Sequence, residues 1–282
     1  MPELPEVETI KRFLTPNLIG KKIIDLKILS QKQFIGNPQK LINQKFIKIK
    51  RYGKLISILL SNKLYLNIHL KLTGELLYAK DKNNPLFKET IPFTKTNKMP
   101  ANTTRIIVYL DDNSVLFFND LRKFGWFKLS NIAEKPKGVD VLDKNFTLEY
   151  FQKIILSSKK PIKILLMDQE KIAGLGNIYA NDSLFLACIH PLIKTNHLEK
   201  KKIAKLYQSI KKIIEQAIKN KGSSGADEAY ILPDSSKGQH QRHFLVYQRE
   251  NEPCPRCGEK IKRIKQAGRS TFFCPRCQKL KP

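Results

Sequence analysis

No apolar run in this chain reaches the roughly 18 to 20 residues that a membrane-spanning helix needs. The first residues, MPELPEVET, carry acids where a signal peptide carries lysine or arginine. Both absences predict a cytoplasmic protein with no membrane partner. Internal repeats are missing as well, and Cys188 is the one cysteine ahead of Cys254, so no disulfide framework is spread through the chain. Acidic side chains are scarce: 25 Asp and Glu face 52 Lys and Arg, a formal charge of +27. A polyanion is the natural partner of such a surface, nucleic acid ahead of an anionic membrane. Charge alone does not separate that reading from lysines that merely solubilise. What is present suffices for folding, since 282 residues at 41% hydrophobic content can bury two separate cores.

The pattern predicts a short amphipathic helix near Val7 to Leu14, then strands near Ile23 to Leu29, Lys54 to Leu60, Tyr65 to Leu70, Arg105 to Leu110 and Val115 to Asn119. Asp111 to Ser114 suits a hairpin turn between the last two. The first half is therefore mostly β, as two packed sheets. The stretch 81–102 has no assignable structure, and 132–145, with Pro136 and Gly138, suits a linker. Helices follow from Thr147. A long one has Leu198, Ile203, Leu206, Ile210, Ile213 and Ala217 on one face, with Asn196 as its cap, Glu199 three residues on and Gly222 as its stop. A polar loop over 223–242 leads to the tail.

The strongest chemical signal lies in that tail. Cys254-Pro-Arg-Cys257 and Cys274-Pro-Arg-Cys277 are separated by sixteen residues, and two such turns can supply the four thiolates of one structural zinc ion. Residues 254–282 carry nine Lys or Arg against one Glu, which suits contact with phosphates. At the other end, removal of Met1 would leave Pro2 as a free secondary amine beside Glu3. An α-amino group titrates near ~7.7 to 8.0, so part of it is neutral and nucleophilic at physiological pH. Taken alone, Pro2 reads better as the start of a helix than as a nucleophile. Gly174-Leu-Gly176-Asn177 ahead of a helix is a phosphate-cradle pattern, weak without context.

Together these pieces resemble one family. The run PELPEVET, His69-Leu-Lys-Leu-Thr-Gly74, Asp120-Leu-Arg-Lys-Phe-Gly125, Ala173-Gly-Leu-Gly-Asn-Ile-Tyr179 and the CxxC pairs with Gly268-Arg269 between them resemble formamidopyrimidine-DNA glycosylases, in the same order along the chain. The resemblance implies an α+β enzyme: an N-terminal catalytic β-sandwich with a leading helix (1–131), a linker (132–146), a helical helix-two-turns-helix domain (147–248) and a zinc-finger hairpin (249–282). It implies a monomer, cytoplasmic and nucleoid-associated, that excises oxidised purines from damaged double-stranded DNA and cleaves the strand. Pro2 matches the Schiff-base nucleophile, Glu3 the acid that protonates the sugar ring oxygen, and Glu6 a supporting acid. Lys54 matches a lysine of β-elimination, and Arg269 a phosphate-directed arginine linked to δ-elimination. Gly176 and Asn177 match the phosphate grip, and His69 and Lys159 secondary DNA contacts. Leu72, Arg122 and Phe124 match the side chains that fill the gap left by a flipped base, with Leu in place of the usual Met.

Three departures stand out. Asn102-Thr-Thr-Arg105 replaces a segment usually holding two histidines, which puts the phosphate contact commonly supplied there in question and leaves Arg105 as its candidate substitute. Asp182 replaces a Glu, and His240 stands where relatives place an aromatic, in the loop that covers the flipped base. The rival readings are an endonuclease VIII relative acting on oxidised pyrimidines, and a catalytically silent DNA-binding paralogue. The PELPE start and the Arg122 and Phe124 pair argue against the first, and the state of the mature N-terminus decides the second.

Overall fold

Glu3 and Glu6 begin the first helix. The Glu6 carboxylate, at the third helical position, accepts the Glu3 N–H at 2.8 Å, and Pro5 needs no partner in the first turn. This cap carries α1 over Leu4–Leu18, longer at both ends than the expected Val7 to Leu14. The computed structural model describes residues 1–225 and 230–280. The chain divides into two units, Met1–Lys135 with Asn220–Gln241, and Pro136–Lys219 with Arg242–Pro282.

In the first unit follow β1 (Ile23–Ile28), β2 (Phe34–Ile35), β3 (Phe46–Tyr52), β4 (Leu55–Leu60), β5 (Tyr65–His69), β6 (Gly74–Ala79), β7 (Thr104–Leu110), β8 (Val115–Asp120) and β9 (Trp126–Ser130). They form two sheets, β1-β7-β8-β6 and β2-β9-β5-β4-β3, in which only the β2–β9 pair is parallel. Ile56, Ile58, Leu66, Ile68 and Phe127 from one sheet meet Leu76, Ile106, Val108, Leu116 and Phe118 from the other. Val7, Ile10, Leu14 and Leu18 of α1 complete this core. The expected sandwich with a leading helix is therefore present. The hairpin turn is where the pattern placed it, with Leu110 N–H donating to Ser114 O at 3.0 Å. Loop 81–102 carries one isolated bridge, Leu86 to Lys98, and folds over a second small cluster in which Phe87, Ile91 and Met99 meet Leu77, Ile107 and Phe117.

The segment Asn220–Gln241 returns to this unit although the sequence pattern leaves it continuous with the helical half. Its apolar triplet explains the return: Tyr230 and Leu232 enter the main core and Ile231 the second cluster. The part of the loop at 226–229 lies outside the described residues.

In the second unit, β10 (Val139–Asp140) pairs in parallel with β11 (Ile172–Ala173), so part of the expected linker is built into a two-stranded ladder. The helices are α2 (Leu148–Leu156), α3 (Ile162–Leu166), α4 (Asn177–Ala187) and α5 (Lys200–Lys219), followed by the hairpin strands β12 (Lys262–Gln266) and β13 (Arg269–Phe273). Thr147 caps α2, its hydroxyl accepting Tyr150 N–H at 3.1 Å. Asn196 does not cap α5: it lies in the 3-10 turn Thr195–His197, and the helix starts later, with Ile203 N–H bonded to Glu199 O at 3.0 Å. Helix α4 is buried on nearly every side, and two of its polar residues hold the C-terminal chain. Asn181 Oδ1 accepts Phe272 N–H at 2.8 Å, while the Asp182 carboxylate accepts the N–H groups of Leu245, Val246 and Tyr247 at 3.0, 3.0 and 3.1 Å. The shorter acid thus still reaches three amides. Burial pushes Asp182 up to about 6, against the pull of those amides and of Arg249.

Candidate nucleic-acid and catalytic sites

In the first unit, Pro2 and Glu3 are both buried at the start of α1. Glu6 holds this end in place. Besides Glu3 N–H, its carboxylate accepts Ser223 N–H at 2.9 Å, and its carbonyl accepts the Tyr230 hydroxyl at 3.5 Å. A Cβ at Gly222, where φ is +74°, would come 2.8 Å from Glu6 Oε1. Glycine here does more than end a helix: it admits the carboxylate that ties α1 to the 220–241 segment.

Lys54 is buried in the turn between β3 and β4, after Gly53 at φ +60°. Arg51 braces that turn against α1, its Nη1 donating to Gly53 O at 2.8 Å and its Nε to Glu8 Oε2 at 3.0 Å. Burial alone would raise the Glu8 carboxyl, but the bonds from Arg12 and Arg51 outweigh it and hold it below the usual range. Motif reading misses Arg51, whose only signal is an arginine at the end of a strand. His69 ends β5, and its Nδ1 accepts Lys71 N–H at 3.0 Å, which assigns the ring proton to Nε2. Burial, then the charges of Lys71 and Lys54, pull its pKa down to about 3, so the ring is a neutral donor at physiological pH.

Leu72 and Phe124 are 38% and 57% exposed, which rules out core packing as their role. Arg122 is exposed on the same loop as Phe124. Arg105 turns inward: Nε donates to Asp120 O at 2.9 Å and Nη1 to Asn102 O at 3.1 Å. The guanidinium expected to take over a phosphate contact is engaged in bracing the turn after β8.

In the second unit, Gly174 has φ +96°, and Gln169 clamps the turn that contains it. Gln169 Oε1 accepts Gly174 N–H at 2.9 Å and Nε2 donates to Leu175 O at 2.7 Å. Gly176 then caps α4 and the half-exposed Asn177 is its first residue, the placement a phosphate grip requires. Arg269 is exposed just after the hairpin turn Ala267-Gly268, where φ values of +48° and +75° suit a type I′ turn. Lys163, 1% exposed on α3, donates to Thr271 Oγ1 at 2.7 Å and Ser270 O at 3.0 Å, directly behind Arg269. It also lines a cavity of about 270 Å³ with Asp168, Gln266 and Arg269. Sequence reasoning passes over Lys163, whose signal is a lone lysine inside the apolar run Pro161 to Leu166. Lys159 is exposed and lines a separate cavity of about 510 Å³ with Ser158, Lys160 and Lys171.

The four tail thiols lie within 4.8 Å of one another. The Sγ separations 254–277, 257–274 and 257–277 are 3.9, 3.5 and 3.4 Å, near the ~3.8 Å edge of a tetrahedron with Zn–S bonds of about 2.3 Å. The N–H groups of Arg256 and Cys277 each lie 3.4 Å from the Sγ of Cys254 and Cys274. Cys254, Cys257, Cys274 and Cys277 thus make a closed structural site for one zinc ion.

Comparison with known proteins covers the whole chain. Residues 1–127 match the formamidopyrimidine-DNA glycosylase N-terminal domain, 137–228 its H2TH domain, and 251–280 a zinc finger found in FPG and IleRS. The chain is 37% identical to a formamidopyrimidine-DNA glycosylase of Pelotomaculum thermopropionicum, with 100% of both covered. It is 38% identical to one of Protochlamydia amoebophila, over 99% of this chain and 100% of the relative. Among solved structures, MutM (Fpg) from Thermus thermophilus matches with a TM-score of 0.85 at 30% identity, covering 100% of both chains. A Lactococcus lactis Fpg mutant complexed with Fapy-dG-containing DNA also matches at 0.85, with 32% identity over 99% of this chain and 100% of the other.

Proposed function

The chain belongs to the formamidopyrimidine-DNA glycosylase family, base-excision repair enzymes that combine glycosylase and AP lyase activity, and from that premise we propose the following division of labour. Pro2, freed of Met1, attacks the sugar C1′ of an oxidised purine nucleotide. Its nitrogen lone pair forms the new C–N bond as the bond to the base breaks, and Glu3 gives a proton to the ring oxygen as the sugar opens. The resulting iminium acidifies the C2′ proton, whose removal expels the 3′ phosphate; a second elimination expels the 5′ phosphate. Lys54 serves the proton transfers, while Asn177, Gly176 and Arg269 hold phosphates, with Arg269 assisting the second elimination. His69 donates Nε2–H to a phosphate oxygen, and Lys159 adds a more distant contact. Cys254, Cys257, Cys274 and Cys277 would hold a structural zinc ion that keeps the hairpin in shape. The observation that carries this reading is the buried Pro2-Glu3 start of α1, held by Glu6.

The substrate is duplex DNA bearing 8-oxoguanine or a ring-opened purine, bound by a monomer in the cytoplasm at the nucleoid. A Lactococcus lactis relative is solved with DNA holding an oxidised pyrimidine, so the test is excision over a panel that includes both classes. Purine lesions are expected to be released faster; preference for the pyrimidines would move the protein to the endonuclease VIII reading.

Opposite-base choice follows from Arg122. A guanidinium offers only donors, which cytosine satisfies with O2 and N3, whereas adenine opposes one with its amino group. Excision of 8-oxoguanine opposite cytosine should exceed that opposite adenine by about five- to 150-fold, the equivalent of 1 to 3 kcal/mol. Arg122→Ala should lose most of that ratio in single-turnover assays, and an unchanged ratio would remove Arg122 as the reader of the orphan base.

Phosphate contacts predict a salt signature, because each neutralised phosphate contributes about −0.9 to the logarithmic slope of affinity against salt. Arg269→Ala should flatten the slope by roughly that amount. Asn177→Ala and His69→Ala should weaken binding with little change in slope, since both side chains are neutral. A parental slope for Arg269→Ala would exclude a direct phosphate contact.

A further inference from the structure

Asp120 closes β8 and is 0% exposed. Its carboxylate accepts from three separate stretches of the chain: the Thr73 hydroxyl, Gly125 N–H at 2.7 Å and Gln33 Nε2 at 2.9 Å. A carboxylate has no donor of its own, so the Thr73 hydrogen points to Asp120 and leaves Oγ1 free to accept. It accepts Arg122 N–H at 3.0 Å. One hydroxyl thus joins the loop of Leu72 to the loop of Arg122 and Phe124, while the Gly125 amide fixes the far end of the second loop on the same acid.

The neighbourhood leaves little slack. A Cβ at Gly74 would lie 2.3 Å from Leu70 O, and one at Gly125 2.7 Å from the Phe118 ring. In each loop the residue just before the exposed apolar side chain is a lysine in the left-handed region, Lys71 at φ +53° before Leu72 and Lys123 at φ +57° before Phe124. Side-chain-bearing residues keep that conformation only where the surroundings hold them in it. Lys71 is tied by its own N–H to His69 Nδ1 at 3.0 Å, and Lys123 lies between the Arg122 and Gly125 amides that Thr73 and Asp120 accept.

We propose that Thr73 and Asp120 are positioning residues that fix Leu72, Arg122 and Phe124 relative to one another, and so govern base extrusion and opposite-base choice without touching the reacting atoms. The inference rests on the reading of those three side chains as the wedge. It makes an otherwise unremarked threonine hydroxyl a determinant of specificity.

Thr73→Val keeps the branched shape and removes both bonds; Thr73→Ser keeps the hydroxyl. Each is to be measured by single-turnover excision of 8-oxoguanine opposite C and opposite A, and by borohydride trapping on DNA that already holds an abasic site, where no damaged base has to be unstacked. Thr73→Val should slow excision about tenfold, as the loss of a hydrogen-bonded link implies, and narrow the C over A ratio, with abasic-site trapping close to the parent. Thr73→Ser should restore both. Asp120→Asn should show the same pattern, with circular dichroism and zinc content reporting its fold. Parental rate and ratio in Thr73→Val would overturn the inference, as would an equal loss in abasic trapping. If Leu72→Ala, Arg122→Ala and Phe124→Ala all behave as the parent, the wedge reading is wrong and the inference falls with it. If those three are impaired and Thr73→Val is not, the inference alone is overturned.

Discussion

Borohydride added to the protein on DNA containing 8-oxoguanine is expected to leave a covalent complex through Pro2, and a tag retained ahead of Pro2 is expected to abolish it. The reason is chemical. A peptide nitrogen has its lone pair in the amide and cannot attack C1′, whereas a free α-amine titrating near ~7.7 to 8.0 is partly neutral at physiological pH, unlike a lysine near ~10.4. The intermediate is an iminium, which borohydride reduces to a stable amine. Pro2→Gly leaves a primary amine and should trap more slowly. Glu3→Gln keeps the nucleophile but removes the proton donor, so excision should fall by about 10² to 10⁴. Mass spectrometry of the trapped peptide locates the bond. Equal trapping by tagged and free protein would place the nucleophile elsewhere.

The second large effect concerns the metal. Cys254→Ser is expected to take zinc from one ion per chain to near zero and to release the hairpin, because a structural zinc site supplies about 10 to 16 kcal/mol of folding free energy in small metal-dependent modules. The loss would spread through named bonds. Phe272 N–H would leave Asn181, Thr271 would leave Lys163, and Gln278 Nε2, which donates to Ile189 O at 2.8 Å, would be released. Arg269 would lose its frame, so DNA affinity should fall while the first unit stays folded. Metal analysis with binding titrations checks this. A full zinc complement in Cys254→Ser would refute the ligand set.

How far the sequence alone reached depended on what each residue had to do. Strands β4, β5, β7 and β8 were legible because their ends are marked by turns or polar residues, and the cysteine pairs because ligand spacing is a local property. Strand β6 is buried at every position, so it shows no alternation, and β3 carries exposed lysines between its few buried residues. Glu3 looks like one acid among several, yet it opens α1 because Glu6 lies at the position that closes the cap. Asn196 had the right chemistry for a cap but sits in a turn that Thr195 anchors, its hydroxyl donating to Ser158 O at 2.5 Å. Lys163, Arg51 and Thr73 act by reaching across the fold, and no local pattern announces a partner nearly fifty or a hundred residues away. Leu72 and Phe124, proposed as wedge side chains, were picked out through family motifs, and their exposure separates them from core residues of the same type.

The return of 220–241 to the first unit has a bearing on synthesis. A ribosome releases the N-terminus first, and domains commonly fold in the order in which they emerge. Here the earliest residues cannot finish. The places of Tyr230, Ile231 and Leu232 stay open, and Glu6 lacks Ser223 N–H, until the whole of α5 has been made. The nascent sandwich therefore waits with an incomplete core through some hundred further residues. The end of the chain that carries Pro2 is sealed only when a segment from far downstream has left the tunnel.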